Sequence, residues 1–223
     1  MAASDVLSRA LHGPVDPPLR PLPPPVADLL HALNAPPRLA AHLRAVHDVA
    51  LQLVEWAEQR CSYLGVDREA VLFGAATHDI GKTVHITELS GPGSSHEETG
   101  REILLAHGFG PELARFAATH AAWTDPEATL EDLLVSTADK VWKNKRVPEL
   151  EDLVISRLAQ AAGTQHWEEY LALDELLEHI GDGAEGRLAF QASFPAYTLS
   201  TAGDARRGRT PGSADACGSE ARE

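Results

Sequence analysis

The chain has 223 residues, of which 43% are hydrophobic and 5% aromatic, and a formal net charge of −14. This length allows one domain with a full apolar core, and no apolar run is long enough to predict a membrane-spanning helix. An acidic chain is a poor candidate for generic nucleic-acid binding, which needs Lys and Arg to neutralise phosphates. The 2 cysteines predict no disulfide framework and favour a reducing, cytoplasmic compartment.

The two ends of the chain differ in composition from the middle. Residues 1–25 contain repeated prolines, which block helix continuation, and we expect a disordered proline-rich leader there, with a proline-rich recognition segment as the alternative. Residues 196–223 have almost no large apolar side chain, which predicts a disordered tail. Between them, residues 26–195 lack strand-like alternation, so the predicted fold is a compact, all-α helical bundle.

The first predicted helix of this bundle covers residues 38–60. Its polar residues recur at a spacing of three to four and predict a solvent-exposed face, formed by Arg44, Asp48, Gln52 and Glu55. His42 and His47 both lie on the drier side of the same helix. Either histidine could therefore turn toward the interior of the bundle.

Local signals predict the later helices. Asp67 is a candidate N-cap for a helix that runs to His78 and Asp79, close to an interruption at Gly81. A loop over residues 90–95 follows, and Ser95 can cap the next helix. Further helices are predicted to begin at Pro111 and Pro126 and to cover residues 148–161 and 165–179.

Metal-capable side chains fall in a definite order along these helices. Imidazole and carboxylate ligands together suit Fe, Mn, Co, Ni or Zn rather than Ca or Mg alone, and a helical bundle can collect them into an internal site. Burying the carboxylate of Asp79 in the apolar setting between Ala75 and Ile80 is costly unless it meets a cation. The candidate ligands are His47, His78, Asp79, His96, His120 and Asp139.

The segments that carry these residues resemble the HD-domain metal-dependent phosphohydrolase superfamily. They read AVHDVALQL, ATHDIGK, SSHEETG, ATHAAW and STADKVWK. The resemblance covers roughly residues 37–160, judged from the helical periodicity. It is to the dinuclear branch, and the family spacing favours His47 over His42 as the first ligand.

The resemblance implies a division of the ligands between two divalent transition-metal ions, with Fe or Mn favoured and Co, Ni or Zn as alternatives. His47, His78 and Asp139 would hold the first ion, His96 and His120 the second, and Asp79 would bridge the two. A metal-activated hydroxide would then cleave a phosphoester or phosphoanhydride bond of a small phosphorylated substrate, expected to be a nucleotide. Asp79 and Lys82 are the candidate catalytic residues, since phosphate recognition needs positive charge near the metals.

Two other functions fit the same ligand pattern. One is an HD-fold mixed-valence di-iron oxygenase, which would need both iron and O₂. The other is a non-catalytic module that binds a metal or a nucleotide. The spacing of the ligands does not separate these alternatives from the hydrolase, and the sequence leaves the oligomeric state open.

Overall fold

The computed structural model describes residues 3–60 and 65–196. Within these ranges the chain forms helices and no strand, which confirms the predicted all-α fold, and no helix there is both long and apolar enough to cross a bilayer. The α-helices are α1 (Ala3–His12), α2 (Pro24–Ala32), α3 (Pro37–Arg60), α4 (Arg68–Thr77), α5 (Ser95–Ala106), α6 (Pro111–Thr119), α7 (Leu130–Val141), α8 (Pro148–Ala162), α9 (His166–Asp182) and α10 (Ala184–Ala192). Two 3₁₀ turns, Ile80–Thr83 and Ile86–Leu89, lie between α4 and α5. The predicted disordered tail lies outside the described residues from position 197 onward.

Helix α3 is the centre of the bundle. It packs against α1, α4, α7 and α10, and it is buried along most of its length. Its bounds agree closely with the predicted helix, but its predicted exposed face is wrong in the first half. Arg44 and Asp48 are only 4% and 6% exposed, because the N-terminal segment covers them.

The prediction of a disordered leader has to be corrected for its first half. Residues 3–12 form α1, whose Leu7 and Leu11 are buried against the bundle. The prolines that stop a helix begin only at Pro14, so the preceding residues are free to form an amphipathic helix. Burial of the apolar side chains of α1 therefore stabilises this helix, and the prolines that follow it do not prevent it from forming.

Buried polar groups of α3 also hold the leader in place. The guanidinium of Arg44 donates hydrogen bonds to the backbone carbonyls of Gly13 and Leu19 at 2.8 and 2.6 Å. Asp48 accepts the backbone N–H of Arg20 at 3.1 Å. These contacts satisfy charged side chains that would otherwise be costly to bury.

Capping residues set the starts of several helices. Asp67 accepts the backbone N–H of Ala70 at 3.0 Å, which confirms the predicted cap of α4. Helix α7 begins at Leu130 rather than at Pro126, because Thr129 and Asp132 form a capping box. The sequence did not predict α1, α2 or α10.

Two apolar clusters make up the core. One joins the second half of α3 to α7, α8 and α9, and the other joins α1, α2 and the first half of α3 to α5 and α6. Along α3 the chain passes from one cluster to the other between Leu43 and Ala45, and along α4 it does so between Ala75 and Ala76. His42 and His78 therefore lie close to the boundary between the clusters.

Candidate metal centre

Three side chains from α3, α7 and the end of α4 form the first ligand group, which consists of His42, His78 and Asp139. His42 Nε2 lies 3.3 Å from His78 Nε2, and Asp139 Oδ1 lies 3.7 and 3.4 Å from these two nitrogens. All three ligand atoms lie within 4.8 Å of one another. Three helices thus converge on a space that one cation could occupy.

The second ligand group consists of Asp79, His96 and His120, and it is also buried. Asp79 Oδ1 lies 3.1 Å from His96 Nε2 and 3.7 Å from His120 Nε2. His96 is in the first turn of α5, and His120 directly follows α6. This group therefore joins the α5–α6 pair to the end of α4.

The carboxylate of Asp79 connects the two groups. Its Oδ1 faces the second group, while its Oδ2 lies 3.2 Å from His42 Nε2 and 3.6 Å from His78 Nε2. Because the two oxygens face different ligand groups, the carboxylate of Asp79 could bind two ions at once, one through each oxygen. Asp79 is also the residue for which the sequence resemblance implies a bridging role.

The chemistry of the two groups fits divalent metals. Asp79 Oδ1 and His96 Nε2 are buried and have no hydrogen-bond partner among the described residues. A buried polar atom without a partner is costly, and a cation between the carboxylate oxygen and the imidazole nitrogen would remove that cost for both. Imidazole nitrogen with carboxylate oxygen is a ligand set suited to transition metals.

Hydrogen bonds on the outer side of His78 and His120 fix which ring nitrogen of each faces the site. His78 Nδ1–H donates to the carbonyl of Ala75 at 2.9 Å, and His120 Nδ1–H donates to the carbonyl of Ala117 at 3.0 Å. A carbonyl can only accept, so Nδ1 carries the proton and the lone pair of Nε2 faces the ligand group. The arrangement prepares both rings to bind a metal through Nε2.

The carboxylate of Glu88 performs the same role for His96. His96 Nδ1–H donates to Glu88 Oε2 at 2.5 Å, and the same oxygen accepts the backbone N–H of His96. The hydrogen bond from His96 lowers the pKa of Glu88, which keeps the carboxylate charged. Glu88 thus orients His96 and also stabilises the start of α5.

Burial and charge set the protonation of the site. Burial lowers the pKa of His42, and it lowers that of His120 to about 4, so both rings are neutral near pH 7 and able to bind a metal. Burial opposes the ionisation of Asp139, yet the groups beside it, His78 first and the charged Lys140 as well, hold the pKa of Asp139 well below its usual value. The carboxylate is therefore charged in the folded protein.

A cleft of about 450 Å³ opens onto the ligand groups. Lys82 and Lys140 line it and pair with ligand carboxylates, with Nζ at 2.6 Å from Asp79 Oδ2 and at 2.7 Å from Asp139 Oδ2 respectively. Lys143 lines it as well. Three lysines thus line the entrance to the site, although the chain as a whole is acidic.

The structure brings together most of the predicted residues. His78, Asp79, His96, His120 and Asp139 lie in the two ligand groups, and Lys82 lies beside them. His42 lies in the first ligand group, and His47, the ligand predicted from the sequence, lies outside both groups. Positions 42 and 47 are separated by five residues, roughly 140° around an α-helix, so the two rings cannot face the same site.

Sequence reasoning missed several residues at the site. It weighed His42 but set it aside on spacing, and it gave no role to Glu88 or Lys143. A signal for Glu88 was available, because an acidic residue shortly before the N-terminus of a helix can accept its free N–H groups. The position of Lys143 at the cleft depends on packing between distant parts of the chain and had no local signal.

Residues 39–142 match the family model of the HD domain, and all six members of the two ligand groups lie within this segment. No curated protein and no solved structure matches the chain. Residues 39–142, with their helical fold and clustered His and Asp side chains, thus match the HD domain, a family whose members are mostly metal-dependent hydrolases.

Proposed function

We propose that the protein is a metal-dependent phosphohydrolase that cleaves a phosphoester or phosphoanhydride bond of a small phosphorylated substrate such as a nucleotide. The observation that carries this proposal is the position of Asp79, whose two oxygens face two separate groups of buried ligands. Sites that hold two divalent ions side by side are common among enzymes that hydrolyse phosphate esters.

The residues would divide the binding of two ions between them. The first ligand group would hold one ion and the second ligand group the other, with Asp79 shared. Divalent ions bound there would lower the pKa of water and offset negative charge on the phosphoryl oxygens. The native metal is proposed to be Fe or Mn, in keeping with the mixed nitrogen and oxygen ligands.

The lysines of the cleft would bind and orient the phosphoryl group. Lys82 Nζ and Lys140 Nζ lie beside the carboxylates of Asp79 and Asp139, and both side chains line the cleft. Their charges would stabilise phosphoryl oxygens as negative charge develops on them. Lys82 is therefore proposed to be catalytic together with Asp79.

Phosphate release tests the proposal. The purified protein would be incubated with Mn²⁺, without O₂, and with a panel of nucleotides and a simple aryl phosphate. We expect hydrolysis of at least one substrate and its loss, by about 10³-fold or more, in Asp79→Asn, because a shared ligand is removed. Asp152→Asn, at an exposed carboxylate of α8, is the matched control and should keep full activity.

The same experiment separates the alternatives. Turnover that requires both iron and O₂, with no phosphate released, would contradict the hydrolase and identify an oxygenase. Metal binding without turnover on any member of the panel would contradict it in favour of a non-catalytic module.

A further inference from the structure

A third lysine lines the cleft beyond the two that pair with ligand carboxylates. Lys143 follows Lys140 by three residues and lies just beyond the end of α7 at Val141. Its side chain is exposed, and its Nζ lies 5.7 Å from the centre of the Trp142 ring. Trp142 is itself buried against His42, which fixes the base of this wall of the cleft.

The charge of Lys143 has no carboxylate partner in the part of the chain that the structure describes. Lys82 and Lys140 each neutralise a carboxylate of the ligand groups, whereas no carboxylate in residues 3–60 and 65–196 pairs with Lys143. The acidic residue Glu97 lines the cleft from α5. Unbalanced positive charge is therefore found on the α7 side of the cleft, next to the place where the phosphoryl group would bind.

The wall around Lys143 lies outside the matched family segment. Leu188 and Gln191 of α10 line the same cleft, and Leu188 is 41% exposed. Residues 143, 188 and 191 all follow position 142, where the family match ends. The family match therefore covers the ligand groups but not this wall, whose side chains line the cleft that a substrate would enter.

We infer that Lys143 binds a second phosphate, adjacent to the one that is hydrolysed, and that the enzyme therefore prefers substrates with at least two linked phosphates over phosphate monoesters. This inference rests on the proposed function. The flexible ammonium of Lys143 lines the same cleft as Lys140 and could contact the neighbouring phosphate of an anhydride, whereas a monoester has no second phosphate for it to bind. Lys143 is thus assigned as a specificity-determining residue.

Binding of two inorganic probes tests the inference without requiring turnover. Inorganic phosphate and inorganic pyrophosphate would each be titrated calorimetrically into the Mn²⁺-loaded protein. Lys143→Ala should weaken pyrophosphate binding by about tenfold and leave phosphate binding within about twofold, because one charge-assisted contact is lost. Lys145→Ala, an exposed lysine two residues away and outside the cleft, controls for the loss of general positive charge.

The outcomes are distinct. Equal weakening of both probes in Lys143→Ala, no weakening of either, or the same selective effect in Lys145→Ala would overturn the inference. Selective loss of pyrophosphate binding in a protein that hydrolyses nothing would support the binding role of Lys143 and contradict the proposed function instead. The two proposals therefore fail separately.

Discussion

Gly81 lies so close to Gly100 and to the carbonyl of His96 that position 81 has no room for a side chain. A Cβ on Gly81 would overlap the carbonyl of His96 and lie 2.7 Å from the backbone nitrogen of Gly100. A Cβ on Gly100 would lie 3.0 Å from that of Ala117. This contact between the first 3₁₀ turn and α5 is what brings His96 beside Asp79.

Replacing Gly81 with alanine should separate the second ligand group. The added methyl would force α5 away from the turn, and overpacking of this kind costs about 1–3 kcal/mol. We expect Gly81→Ala to lose the second metal equivalent while it keeps the first, as measured by elemental analysis alongside urea unfolding. Gly91→Ala, where the nearest atom is Thr87 O at 3.3 Å, should keep both equivalents. Full metal content in Gly81→Ala would show that the close contact is not required.

The pair His42 and His47 offers a matched test on one helix. His42→Ala should lower metal content, because it removes a nitrogen from the first ligand group. His47→Ala removes an equally buried imidazole that faces elsewhere, so metal content should be unchanged. Metal equivalents per chain in the two variants would distinguish the positions. Loss of metal in the His47 variant with retention in the His42 variant would restore the assignment made from sequence.

The polar residues of α3 explain why the sequence favoured His47 over His42 as the metal ligand. Arg44 and Asp48 were interpreted as part of a solvent-exposed face, but they bind the leader and are buried. A helix that is buried on nearly all sides gives no reliable inward direction from its periodicity. The rotation of α3 about its own axis thus depends on contacts with residues 13–20, which are distant in sequence and give no local signal.

Local signals were more informative than long-range ones throughout the chain. The first residues of α3, α6 and α8 lie at or next to those predicted from prolines and from the spacing of apolar residues. The N-cap of α4 at Asp67 was also predicted. The expectation that ligands gather from five parts of the chain followed from the family resemblance. The cleft wall formed by α10 had no such signal, because it depends on tertiary packing.

Glu88 should control the affinity of the second ligand group for metal. Glu88→Gln keeps a hydrogen-bond acceptor for His96 but removes the charge that makes the ring a stronger ligand. Loss of such an outer partner typically weakens metal binding about 10–100-fold. Metal titration monitored by calorimetry would measure this change. Glu98→Gln, at an exposed carboxylate paired with Arg101, is the control, and an equal loss in both variants would argue against a specific role.

His47 should make the protein sensitive to acid. Burial, assisted by the charge of Arg20, lowers its pKa to about 4 from an ordinary value of 6.5. The folded state therefore favours the neutral ring, and the stability it contributes is complete above pH 6.5 and is lost as the pH falls toward 4. When the pH is lowered from 7 to 4, the unfolding free energy of the wild type should therefore fall by about 3 kcal/mol more than that of His47→Gln. Urea unfolding at both pH values would measure this, and equal losses would contradict it.

Metal content per chain tests the shared role of Asp79 most directly. Elemental analysis would be carried out on protein purified without added metal or chelator, for the wild type and for Asp79→Ala, with circular dichroism to establish that both are folded. The account predicts two equivalents of a divalent transition metal in the wild type and a loss from both ligand groups in the variant. A single equivalent in the wild type that persists in Asp79→Ala would contradict it.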